Sequence, residues 1–89
     1  MPGQFDELRK KLEAQLTFPS IYMFKFILKS DNRKMALIES MFEEDADIIQ
    51  NQSGKGNFTS ITVKQIVMSV DEIIAIYERA AQIEGVMSL

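Results

Sequence analysis

Ser53-Gly54-Lys55-Gly56-Asn57-Phe58 sits near the middle of an 89-residue chain and holds two of its four glycines. The runs on either side read as strands. Residues 46–52 are mostly polar, with Ile48 and Ile49 the only large apolar side chains, a composition that belongs at a sheet edge. Residues 58–68 alternate in part, Ile61 and Val63 against Ser60, Thr62 and Lys64, and close on Ile66-Val67-Met68. Glycines between two such runs supply positive φ angles, so the stretch reads as a hairpin connection.

Working outward, Ile21-Tyr22-Met23-Phe24-Lys25-Phe26-Ile27-Leu28 is rich in β-branched and aromatic residues and reads as a strand over 20–29. Tyr22, Phe24, Phe26 and Leu28 share one face; Ile21, Met23, Lys25 and Ile27 share the other. A strand apolar on both faces is expected to be central and covered on both sides. Ser30 or Asp31 can cap a helix over 32–43 with Met35, Ile38, Met41 and Phe42 as its buried stripe. On the other side of the hairpin, Ser69-Val70-Asp71-Glu72 has the form of a capping box. The helix behind it turns Val70, Ile73, Ile74, Tyr77, Ala80 and Ala81 inward. Gly85 sits where a C-terminal cap is wanted, and residues 86–89 suffice for a short last strand.

The order strand–helix–strand–strand–helix–strand predicts an α+β, ferredoxin-like βαββαβ two-layer sandwich, with a four-stranded antiparallel sheet and two helices on one face. One further segment precedes it. Phe5, Leu8, Leu12 and Leu16 recur at three- and four-residue steps, which predicts an amphipathic helix over 4–16. That helix is expected either to cross the open sheet face or to leave it to a second subunit. Residues 1–89 then form a single domain, the helix 4–16 followed by a core over 18–89.

Composition sets further bounds. Net charge is −3 and the pI near 4.9, which argues against a nucleic-acid partner because phosphate binding needs a basic surplus. The chain has no cysteine and no histidine. It therefore lacks disulfides, thiolate chemistry, cysteine–zinc sites and the usual general base near neutral pH. Met1-Pro2-Gly3-Gln4 lacks the basic start and apolar run of a secretion signal, and no apolar run approaches the ~20 residues that span a bilayer. A cytoplasmic protein with no membrane association is expected.

No stretch assembles a catalytic site, and a non-enzyme without cofactor or metal is expected. Gly54-Lys55-Gly56 departs from the phosphate-loop spacing and precedes a strand where that motif needs a helix. Ser53 and Lys55 lack the further groups a Ser–Lys hydrolase would need. Glu43, Glu44, Asp45 and Asp47 lack the EF-hand pattern and read as a solvated acidic turn. Phe24, Phe26 and Phe58 lack the sequence signature of base-stacking RNA-recognition sheets and read as core. The candidate ligand- or partner-binding patch is Ser53, Gly54, Lys55, Gly56, Asn57 and Phe58, since a plain turn would need only the glycines.

Phe18-Pro19 with Phe24-Lys25, the 53–58 stretch followed by Ser60-Ile61-Thr62, and Ile76-Tyr77-Glu78 with Ile83-Glu84 together resemble the YbeD-like family of small bacterial proteins of unknown function, also designated DUF493 or UPF0250. The resemblance covers about residues 16–89. It implies a fold close to the regulatory ACT domains, which bind amino acids, and a link to lipoate metabolism, since members are often encoded near lipoate-biosynthesis genes. ACT domains usually place a glycine between the first strand and first helix, where the backbone approaches the effector. Here that junction is Lys29-Ser30-Asp31-Asn32-Arg33-Lys34, without glycine, which argues against an effector at that place. The combined expectation is a regulatory or protein-interaction domain, a homodimer or bound to a protein partner. The alternative is an ACT-like sensor holding a small-molecule effector at a subunit interface.

Overall fold

The computed structural model describes residues 3–89, and Met1 and Pro2 lie outside the described residues. Its elements are α1 (Asp6–Gln15), β1 (Ser20–Lys29), α2 (Asn32–Glu39), β2 (Asp47–Ser53), β3 (Phe58–Val67), α3 (Val70–Ala81) and β4 (Met87–Ser88). The strands form one antiparallel sheet in the order β2-β3-β1-β4, the ferredoxin-like arrangement with an added N-terminal helix. The shortest dimension, 19 Å, is that of a single helical layer on a sheet.

The core lies between that layer and the sheet. Phe24 and Phe26 of β1 and Ile61 and Val63 of β3 are fully buried, together with Ile38 of α2 and Ile73 of α3. Each such side chain contributes about 1.5–3 kcal/mol through removal from water. Phe42, Tyr77 and the two β1 phenylalanines form an aromatic cluster with centroids 5.3–6.4 Å apart. β1 therefore occupies the inner position its composition predicts, paired with β3 over all ten residues.

Local details differ from the sequence reading. Of the two caps the sequence allows for α2, Asp31 is the one used, its carboxylate accepting from the backbone N–H groups of Arg33 and Lys34. α2 stops at Glu39, where Ser40 Oγ donates to the Leu37 carbonyl and the chain tightens into three-residue turns; Phe42 still reaches the core beyond the helix end. In α3, Ser69 Oγ accepts from the Glu72 N–H, but the Glu72 carboxylate reaches back to the N–H of Met68 instead of that of Ser69. α3 ends at Ala81 with Gln82 as its C-cap, and Gly85 instead supplies a positive φ in the turn into β4.

The larger correction concerns α1. It does not cross the open sheet face; it lies in the helical layer beside α3. Phe5 stacks near Tyr77, Arg9 pairs with Asp71 at 2.5 Å, and Leu12 belongs to the core. The hydrogen bond that Arg9 donates to Asp71 also pushes the guanidinium above its already high ordinary pKa. α3 buries more than the sequence stripe predicts: Ile76 is buried with Ile73, Ile74 and Tyr77, while Ala81 is exposed. A helix flanked by sheet and second helix needs a wider apolar arc than one resting on a sheet alone.

Candidate functional site

The hairpin forms where the sequence places it. Ser53 pairs with Phe58, and Gly54, Lys55, Gly56 and Asn57 make the loop between them. Gly56 N–H donates to the Ser53 carbonyl at 3.1 Å, and Asn57 N–H to the Gly54 carbonyl at 3.2 Å. Gly54, Lys55 and Gly56 all have positive φ, at 61°, 59° and 85°. Glycine adopts this region freely; the lysine between them does so at a steric cost. Ser53, Gly54, Lys55 and Asn57 are exposed and Gly56 half-buried. No hydrogen bond joins Ser53 to Lys55, so the two do not form a nucleophile–base pair.

The loop is fastened to the sheet by Ser30. Its hydroxyl donates to the Gly56 carbonyl at 2.6 Å and meets the Thr59 hydroxyl at 2.8 Å, while its N–H bonds the Asn57 carbonyl at 2.9 Å. Thr59 is fully buried, and Ser30 satisfies its one side-chain oxygen. Ser30, the alternative cap in the sequence reading, thus closes the junction between β1 and α2 against the hairpin.

Strand register shows what the hairpin belongs to. Across β1 and β3, Ile21 lies opposite Ile66, Met23 opposite Lys64, Lys25 opposite Thr62, and Lys29 opposite Phe58. Across β2 and β3, Asp47 lies opposite Lys64, Ile49 opposite Thr62, and Ser53 opposite Phe58. Directly opposed residues share a face. Ser53 and Phe58 therefore stand on the open face, at one end of a surface that also carries Ile21, Met23, Ile49 and Ile66. Ile21 is 70% exposed, Ile66 61%, Met23 57% and Phe58 43%. Met87 extends this surface onto β4, opposite Ile27.

The charge on this face is opposite in sign to that of the chain. Lys25, Lys29 and Lys64 project from it against the carboxylate of Asp47, although the chain carries −3 overall. At the end away from the hairpin, a groove of ≈ 500 Å³ runs between Ile21, Ile66 and Lys64 and the acidic turn at Glu43, Asp45 and Asp47. Those carboxylates do not converge: among the described residues no three acidic side chains come together as a metal-binding group.

The helical side of the sheet holds one perturbed group. Tyr77 is 6% exposed, and its hydroxyl lies 3.1 Å from that of Tyr22. Burial, and then the Tyr22 hydrogen bond, push its phenol well above the ordinary tyrosine pKa. The pair is packed inside the aromatic cluster, away from the hairpin and the open face. Among the described residues, no buried side-chain polar atom lacks a partner. No helix among them is long and apolar enough to cross a membrane.

Of the six candidate residues, Ser53 and Phe58 therefore stand at one end of a larger surface, and Gly54, Lys55, Gly56 and Asn57 form the loop beyond it. Periodicity separates Ile21 and Met23 from the phenylalanines of the same strand, but it does not say which layer α1 joins.

A UPF0250 protein from Shewanella halifaxensis is 31% identical over 83 residues, covering 89% of this chain and 94% of the relative. UPF0250 proteins from Shewanella oneidensis and Shewanella piezotolerans are 29% and 26% identical over the same coverage. No solved structure matches. The family model described as protein of unknown function (DUF493) matches residues 13–89, and the chain belongs to that family.

Proposed function

We propose that this chain is a non-enzymatic protein-interaction module whose recognition surface is the open sheet face, with the 53–58 hairpin at one end. The observation that carries the reading is the exposure of Ile21, Met23 and Ile66 on a face that no element among the described residues covers. Contiguous apolar surface framed by polar residues marks interaction sites more often than it is left in water. Lys25, Lys29 and Lys64 select for a partner that presents carboxylates around an apolar centre. The same lysines oppose face-to-face packing of two copies, which would set like charges against each other. The alternative of a metabolite sensor has less support, because the Ser30 hydroxyl at the β1–α2 junction is already engaged by Gly56 and Thr59.

The test is quantitative affinity capture with the wild-type chain, Ile66→Ser and Lys64→Glu, each verified as folded. The reading expects a partner whose recovery drops at least ~10-fold in both variants, the loss of about 1.4 kcal/mol of binding. A partner recovered equally by all three would place recognition elsewhere.

A further inference from the structure

β2 forms one edge of the sheet and pairs only with β3. It is an internal strand that runs from the acidic turn to the hairpin, on the opposite side of the sheet from β4. The register tells which of its main-chain groups are free. Ser30 N–H donates to the Asn57 carbonyl, in line with the β1–β3 register. The odd-numbered residues of β3 therefore turn their main-chain groups toward β1, and the even-numbered ones toward β2. Those even-numbered residues lie opposite Asp47, Ile49, Asn51 and Ser53. Ile48, Gln50 and Gln52 are left with N–H and C=O directed outward, where no hydrogen bond reaches these main-chain groups among the described residues.

Edge strands are usually blunted by lysine, proline, a bulge or shortness. β2 has none of these. It reads Asp-Ile-Ile-Gln-Asn-Gln-Ser, and its pairing with β3 runs unbroken over all 7 residues. Its two ends carry opposite charge. The strand begins at the exposed acidic turn of Glu43, Glu44, Asp45 and Asp47, and it leads into the loop that exposes Lys55. Between Asp47 and Lys55 there is no charged residue.

We infer that this edge takes the β2 edge of a second copy, antiparallel about a two-fold axis at Gln50, the middle residue of the strand. In that register Gln50 lies opposite Gln50 of the other copy, and Ile48 opposite Gln52. Each such pair exchanges two main-chain hydrogen bonds, so every free group of Ile48, Gln50 and Gln52 is used. Asp47 falls opposite Ser53. Beyond the strand ends, the acidic turn of each copy comes beside the Lys55 loop of the other, so unlike charges meet at both ends. The fit is self-complementary, as an isologous contact requires. Against it stand the two Glu39 carboxylates, one per copy, each already accepting from its own Gln50 amide. An arbitrary extended peptide could also add to the edge, but a second copy supplies both the matching length and the matching charges. One sheet then runs through both copies with the open faces on the same side, so the lysines of those faces are not set against each other. Pairing at this edge is independent of the interaction reading and does not require that the face bind anything.

Cysteine cross-linking tests the register, because the chain has no cysteine of its own. Ile49→Cys and Asn51→Cys, both at exposed positions, are prepared separately, then oxidised alone and as an equimolar mixture. Ile49 of one copy lies opposite Asn51 of the other as a non-hydrogen-bonded pair, with Cα atoms about 4.5 Å apart and within disulfide reach. The path from position 49 to position 49 is a diagonal of about 7–8 Å, too long for a disulfide. The expected result is a wild-type dimer by light scattering and a disulfide-linked dimer in the mixture but in neither variant alone. Lys55→Glu sets like charges together at both ends and is expected to raise the dimer dissociation constant at least ~5-fold. A monomer at concentrations up to ~1 mM would overturn the inference. Cross-linking of either cysteine variant by itself to the same extent as the mixture would also overturn it, as would an unchanged dissociation constant in Lys55→Glu. Partner capture with the Ile66 and Lys64 variants is read separately, so either conclusion can fail while the other stands.

Discussion

The two faces of β1 use the same kinds of side chain for opposite ends. Toward the helices, Phe24 and Phe26 are fully buried and Leu28 is 2% exposed. Toward the open side, Ile21 and Met23 remain more than half exposed. Hydropathy alone would treat these residues alike. What separates them is whether the rest of the chain supplies a covering layer, and the helices among the described residues lie on one side. On the proposed reading, stability belongs to one face and recognition to the other.

Mutation should separate those roles. Phe24→Ala removes a fully buried ring from the aromatic cluster and should lower stability by about 3–5 kcal/mol, read from urea denaturation. A loss below about 1 kcal/mol would mean that the helical side is not the packed one.

A smaller effect, confined to alkaline pH, should appear at Tyr77. Below about pH 10 the phenol is protonated in both folded and unfolded chains, and no stability depends on its titration. Above that pH the unfolded chain releases the proton first, because burial and the Tyr22 hydrogen bond raise the folded value. The native state then holds more protons, so stability falls as pH rises, by about 1.4 kcal/mol for each unit of upward shift once both forms have titrated. In Tyr22→Phe, Tyr77 is the only tyrosine, since the chain has two. Its phenolate absorbance at pH 11 should grow only together with loss of circular dichroism. Ionisation of an intact fold would show that the cluster admits water.

The smallest effect on stability is expected on the open face. Ile66→Ser should change it by no more than about 0.5 kcal/mol, the range of exposed substitutions, while weakening partner binding. A loss of about 2 kcal/mol or more would collapse the distinction between the faces, because Ile66 would then be packing against something.

Much of this was legible in the sequence. The period-two split of β1, the Asp31 and Ser69 caps, the polar edge strand β2 and the glycine-bearing hairpin follow from local chemistry, and together they determine the ferredoxin-like order. The place of α1 was not legible. Phe5, Leu8, Leu12 and Leu16 state that one side of the helix is apolar; they do not say which apolar surface it meets. Arg9 and Asp71 settle that in space, but they are 62 positions apart in sequence. The candidate patch was half legible for a related reason. Its glycines announce a turn, whereas the membership of Ser53 and Phe58 in the open face depends on register across three strands. Lys55 gave no sign of its left-handed backbone, which the geometry of the loop imposes on it.

Lys55 also carries a meaning for the folding landscape. A glycine there would meet the backbone requirement without steric conflict, and an L residue costs about 1–2 kcal/mol in this region. Local preference and global fold thus disagree at the tip of the hairpin, in a chain whose other signals largely agree with one another. Such a point of frustration is retained at the expense of the native state's own depth. It holds an exposed cation in the loop between Gly54 and Gly56, in a conformation that the turn imposes.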